Sequence, residues 1–306
     1  MKSRELEKSL TKEYIKEQFM LLQDRICSRL EELDGKSKFH QDLWDRAEGG
    51  GGRTRIIQDG NVLEKGGVNF SAVHGPVSEM MKKQLKLDGN EFFATGVSIV
   101  LHPHSPHVPI MHMNVRYFEL DSGVHWFGGG IDMTPHYVIP EQASLFHQGL
   151  KDICDKYNPQ FYPEYKRWAD EYFFIPHRDE TRGVGGIFYD HIKINSEGEK
   201  QMMLDFAIDL GDAFADLYKA QYALGKDKEV LPEHTLWRNL RRGRYVEFNL
   251  VHDRGTAFGL KTGGRIESIL MSLPKMAGWE YDFQVKENSK EAQTLSYLKR
   301  YVDWIK

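Results

Sequence analysis

Apolar residues return at Leu6, Leu10, Phe19, Leu22, Ile26, Leu30 and Leu33, a spacing that keeps them on one stripe of a helix over residues 3–34, with Gly35 placed to end it. The pattern then changes period. Residues 97–101 and 108–120 are rich in β-branched and aromatic side chains with period-2 structure and predict strands. Helical spacing resumes over 141–157 (Ala143, Phe146, Leu150, Ile153, Tyr157), over 163–174 behind Pro163, and over 200–224 (Met203, Phe206, Leu210, Phe214, Leu217). Residues 244–251, RYVEFNLV, are apolar at most positions and predict a buried strand. Ile266, Ile269, Leu270 and Leu273 predict a helix after Gly263-Gly264-Arg265, and Leu295, Leu298, Val302 and Ile305 a last one. There is no repeat, no low-complexity linker and no shift of composition, so residues 1–306 read as one α+β domain.

Composition narrows the function classes. With 40% hydrophobic and 12% aromatic residues in 306, the chain is not disordered. A net charge of −4 without a basic stripe argues against a nucleic-acid binder. No apolar run approaches the roughly 20 residues of a membrane span, and the mixed charges of MKSRELEKSL do not make a secretory signal. Cys27 and Cys154 form neither a redox pair nor a zinc knuckle, which suggests a reducing cytosol. The run Gly49–Gly52 lacks the Gly-Lys-Ser/Thr of a phosphate loop and feeds a predicted strand, and no GxGxxG fingerprint occurs.

Histidine is the candidate chemistry. His102, His104, His107, His112, His125, His136 and His147, seven of 13, fall within residues 102–147. Side chains two apart on a strand share a face. His112, Asn114 and Arg116 therefore project together, as do Ser98, Val100 and His102. If the two faces coincide, Ser98, His102, His112, Asn114 and Arg116 line one polar patch suited to an oxygen-rich anion. Arg178 and Arg182 either grip carboxylates or bridge to Asp179 and Glu180. His147, on an apolar stripe, reads alone as a core histidine. Gly128-Gly129-Gly130 reads as a turn that lets a ligand approach Asp132, and Gly263, Gly264 and Arg265 as an anion seat at a helix start. These residues argue for a polycarboxylate pocket without naming a reaction.

The runs HPHSPHVPIMHMNVRYFE, WFGGGIDMTPHY, DEYFFIPHRDETRGVGGIFYD and RRGRYVEFNLVHDRGTAFGLKTGGRIESILMSLPKMAGWEYDF resemble the oxygen-dependent coproporphyrinogen-III oxidases over nearly the whole chain. The resemblance implies a large antiparallel sheet flanked by helices on both faces. It also implies a homodimer joined through residues 245–280, and oxidative decarboxylation of two propionates of coproporphyrinogen III to vinyl groups. Molecular oxygen would be the co-substrate, without an organic cofactor. Ser98, Asn114, Val115, Arg116, Gly263, Gly264 and Arg265 match substrate-contacting motifs, and the substrate's four propionates explain why an acidic chain gathers Arg116, Arg178, Arg182 and Arg265. His112 matches a proton donor and Asp132 a carboxylate that engages pyrrole N–H groups. His102, His112, His147 and His177 match metal ligands, with manganese as a candidate ion; an imidazole bound to metal has no lone pair left for proton transfer. A His-rich metallohydrolase and a non-catalytic tetrapyrrole carrier are the other readings.

Overall fold

The computed structural model describes residues 10–79, 81–82, 89–261 and 263–305. Its strands are β1 His40–Asp45, β2 Gly50–Gln58, β3 Leu63–Pro76, β4 Glu91–Pro103, β5 Ile110–Leu120, β6 His125–Thr134, β7 Phe174–Ile175, β8 Glu180–Thr181 and β9 Gly186–Ile192. Seven of them form one antiparallel sheet in the order β1-β2-β3-β4-β5-β6-β9, while β7 and β8 pair separately. The helices are α1 Lys12–Asp34, α2 Pro140–Asp155, α3 Phe161–Tyr172, α4 Glu197–Gly225, α5 Pro232–Glu247, α6 Arg254–Lys261, α7 Ile266–Leu270 and α8 Lys290–Tyr297. A π-helical turn, Phe248–His252, continues α5.

One face of the sheet is the core. On β5 this face carries Met111, Met113, Val115 and Tyr117, joined by Val97, Ile99 and Leu101 of β4 and by Phe127, Ile131 and Met133 of β6, all buried against α1 and α4. Helix α1 buries Ile15, Phe19, Leu22, Ile26 and Leu30 on this face. Each such side chain contributes about 1.5–3 kcal/mol, so packing rather than intrinsic propensity fixes the helix. The Thr11 hydroxyl accepts from Tyr14 N–H at its start, and Gly35, at φ 69°, donates to Glu31 O at its end. The part of the predicted helix before residue 10 lies outside the described residues. The opposite face is covered by α5, the π turn, α6 and α7.

Three sequence expectations are corrected. Residues 244–251 are helical, not a strand. Trp237, Leu240, Tyr245 and Phe248 are buried at intervals of three to five, whereas Leu250 and Val251 are exposed. The aromatic and β-branched residues that suggest strand are held in helix by packing on the sheet, and by Arg241 and Arg242 reaching Glu180 and Glu64. The C-terminal helix ends at Tyr297. Beyond it the chain turns, with Tyr301 at φ 64°, to bury Leu298 and Trp304. Gly128-Gly129-Gly130 is the middle of β6 rather than a turn. A Cβ on Gly128 would stand 2.5 Å from Asp190 Oδ1 and 3.0 Å from Arg116 Nε, so glycine there admits a side-chain pair from the neighbouring strands.

Candidate active site

The ladder register sets this second, helix-covered face in rows. Asp42, Thr54, Asn69, Ser98, Asn114 and Gly130 oppose one another from β1 to β6, and Gly67, Val100, His112 and Asp132 form the next row. Gly96, Arg116 and Gly128 make the row on the other side. Ser98, His102, His112, Asn114 and Arg116 thus share one face, and β6 adds Asp132 beside His112. Val115 of the same motif points into the core and is fully buried, so only its backbone borders the face.

Asp132 is the best-held group on this face. Its Oδ1 accepts from His112 Nδ1 and from Arg182 Nη2, and Arg182 Nε reaches Oδ2 at 3.2 Å. The Asp132 and Arg182 side chains are 1% and 2% exposed. Arg182 also donates to Asn249 Oδ1 at 2.7 Å and lies 4.5–4.7 Å from the rings of Phe173, Tyr245 and Phe248. Burial pushes the Asp132 carboxyl up, but the Arg182 charge and the His112 hydrogen bond outweigh it and hold the group below the usual carboxylate range. Asp132 is therefore an ionised anchor. With Nδ1–H committed to Asp132, His112, 23% exposed, turns Nε2 outward.

Arg116 is 37% exposed, donates to Asn114 Oδ1 at 2.8 Å and pairs with Asp190 at 2.8 Å, which leaves further N–H donors for an anion. Arg265 occupies the N-cap position of α7 without a side-chain cap bond, donates to Ser268 Oγ at 3.1 Å and pairs with Asp42. Asp42 stands four strands from Asn114, roughly 19 Å at ordinary strand spacing. Arg116 and Arg265 therefore serve opposite ends of one face. Gly264 N–H donates to Gly259 O, so it closes α6, and Gly263, at φ 73°, makes the turn. Arg178 lies elsewhere, bidentate on Glu247 at 2.9 and 2.7 Å. Arg182, expected on a propionate, is committed to Asp132 and Asn249.

The four histidines assigned to a metal do not fit one ion. His147 donates Nε2–H to Val184 O at 2.9 Å and accepts from Tyr162 Oη at 3.0 Å, inside the core. His177 spends one nitrogen on Glu247 and the other on His252. His102 reaches Ser272 O at 2.8 Å and keeps only a buried Nδ1. Among the described residues no group of three or more His, Cys, Asp or Glu side chains converges on a common point. Sequence reading missed Asn249, Tyr245, Phe248 and Asp190. Tyr245 and Asn249 are four apart, and a helical reading of 244–251 would have set them on one face.

Against known proteins, residues 14–304 match the family profile described as Coproporphyrinogen III oxidase. The chain is 46% identical over 298 residues to coproporphyrinogen-III oxidase 1, chloroplastic, of Arabidopsis thaliana, covering 92% of this chain and 76% of that protein. It is 47% identical over 300 residues to the oxygen-dependent coproporphyrinogen-III oxidase, mitochondrial, of Rattus norvegicus, covering 94% and 67%. Against the chloroplastic oxygen-dependent enzyme of Glycine max it is 46% identical over 298 residues, covering 92% and 77%.

Proposed function

This chain belongs to the coproporphyrinogen III oxidase family, and from that premise we infer that it is an oxidoreductase of haem biosynthesis that converts two propionates of coproporphyrinogen III to vinyl groups. At each propionate a C–H bond and the bond to the carboxylate break, carbon dioxide leaves, and two electrons pass to molecular oxygen, which leaves as hydrogen peroxide after taking the C–H proton and a second proton from solvent. We propose that the reduced tetrapyrrole is itself the electron donor and that no organic cofactor takes part. The observation that carries the reading is the single polar sheet face on which His112 lies across from buried Asp132 and on the same strand as half-buried Arg116.

The residues divide the work by position. Arg116 at one end and Arg265 at the other hold propionates, with Ser98 and Asn114 between them. His112, steered by Asp132, presents Nε2 to the reacting arm as the group that handles the proton. Asp132 acts through His112, because its oxygens are occupied and screened from solvent. Positioning of the arm supplies much of the rate.

We also propose a homodimer, supported by the exposed apolar residues Leu250, Val251, Ile266, Met276 and Trp279 between positions 245 and 280. A cytosolic setting is supported by the unbridged thiols of Cys27 and Cys154, although the relatives named above are organellar. No described helix is long and apolar enough to cross a membrane. An oxygen electrode charged with anaerobically prepared coproporphyrinogen III tests the function. Oxygen uptake with formation of a divinyl product is expected. A carrier would bind the porphyrinogen without consuming oxygen, and that result would overturn the reading.

A further inference from the structure

A porphyrinogen brings pyrrole N–H donors as well as carboxylates, so its site needs acceptors. On the function inferred above, the carboxylate and amide acceptors of the sheet face other than Asn69 already take hydrogen bonds from arginine or histidine. Asp132 accepts from His112 and Arg182, Asn114 Oδ1 from Arg116, Asp190 from Arg116 and Asp42 from Arg265. Asn69 is different. It lies on β3 directly opposite Ser98 and beside Thr54. Its Nδ2 donates to Ser268 O at 2.5 Å, which fixes the amide orientation, because the flipped amide would set oxygen against oxygen. Its Oδ1 is buried and accepts no hydrogen bond. Unpaired buried acceptors are uncommon and call for an explanation.

We propose that Asn69 is a substrate-binding residue whose Oδ1 accepts a pyrrole N–H of the porphyrinogen, orienting the macrocycle between Arg116 and Arg265. Ser268 also bonds Thr54 Oγ1 at 2.7 Å, which ties the α7 turn to this row of the sheet. Because Asn69 Oδ1 is buried, this bond requires the α7 turn to move aside as the pyrrole edge enters. Because a planar porphyrin presents fewer N–H donors, with imine-type nitrogens in their place, Asn69 favours the reduced ring over the oxidised one.

Equilibrium binding of coproporphyrinogen III and coproporphyrin III under anaerobic conditions tests this in wild type, Asn69→Leu and Asn69→Asp. Asn69→Leu is expected to weaken the reduced ligand about tenfold and the oxidised one little. Asn69→Asp retains an acceptor and is expected to keep the preference although it forfeits the bond to Ser268. Wild-type affinity in Asn69→Leu overturns the proposal, as does equal loss in both variants, which would assign Asn69 to docking α7. If Asn69→Leu does not fold, Asn69→Asp alone decides: a retained preference supports the proposal and a lost one overturns it. If wild type binds neither ring, the function reading itself fails and this inference with it.

Discussion

Asp132 Oδ1 accepts two hydrogen bonds at once, from His112 Nδ1 at 2.8 Å and from Arg182 Nη2 at 2.7 Å. One carboxylate oxygen thus ties the partly exposed imidazole to a guanidinium that is almost fully buried. Asp132→Asn should lower kcat by about a hundredfold or more while KM moves little, since the substitution disturbs how His112 is presented rather than how propionates are held. Steady-state oxygen uptake across substrate concentration reads both constants, and near-wild-type kcat would reject the dyad.

The Asp132–Arg182 pair is also buried, so breaking it should show in stability. Arg182→Met strands a buried carboxylate and should cost roughly 3–5 kcal/mol in urea unfolding. Adding Asp132→Leu to Arg182→Met should recover part of that loss, since no buried charge then remains alone, yet leave the protein inactive. A double variant no more stable than Arg182→Met would show that the ion pair does not control this part of the fold.

Arg116 is predicted to behave in the opposite way to Asp132. Its partner Asp190 is on a partly exposed rim, so Arg116→Ala should change stability by less than about 1 kcal/mol. A charge-assisted bond to a propionate is worth roughly 1.5–3 kcal/mol, so KM should rise about ten- to a hundredfold. Unchanged KM would remove Arg116 from the substrate face.

His147 predicts acid sensitivity that has nothing to do with catalysis. Burial pushes its imidazole down to about 3, with the Val184 carbonyl opposing that shift in part. The unfolded chain takes up a proton near pH 6.5 and the folded one does not, so stability is full above pH 6.5 and declines as pH falls toward 3. By pH 5 this one site should have cost about 2 kcal/mol relative to pH 7. Urea midpoints at pH 7 and pH 5 should differ less in His147→Gln than in wild type; an equal difference would assign the acid loss to other groups.

The period-2 alternation of β4 and β5 makes the polar face legible in the sequence, because one residue of register decides the face of every side chain. What joined it to Asp132 was not legible. The segment WFGGGIDM lacks alternation, and its glycines answer to Arg116, Asp190 and the adjoining strands rather than to a local turn. Arg182 read as a ligand for substrate because sequence does not reveal that Phe173, Tyr245 and Phe248 enclose it. Residues 244–251 carried strand composition, and only packing on the sheet made them helical. The clustering of histidine in sequence was equally misleading as to space. His147 and His112 lie on opposite faces of the sheet, and a spacing argument along the chain carries no information about that.

On the proposed function, His112 handles the proton on a face that holds propionates. Single-turnover oxygen consumption by His112→Gln, with porphyrinogen already bound under nitrogen and oxygen then admitted, tests this most directly. Binding close to wild type with uptake slowed at least about a hundredfold is the predicted result. Uptake at the wild-type rate with His112 gone would contradict it.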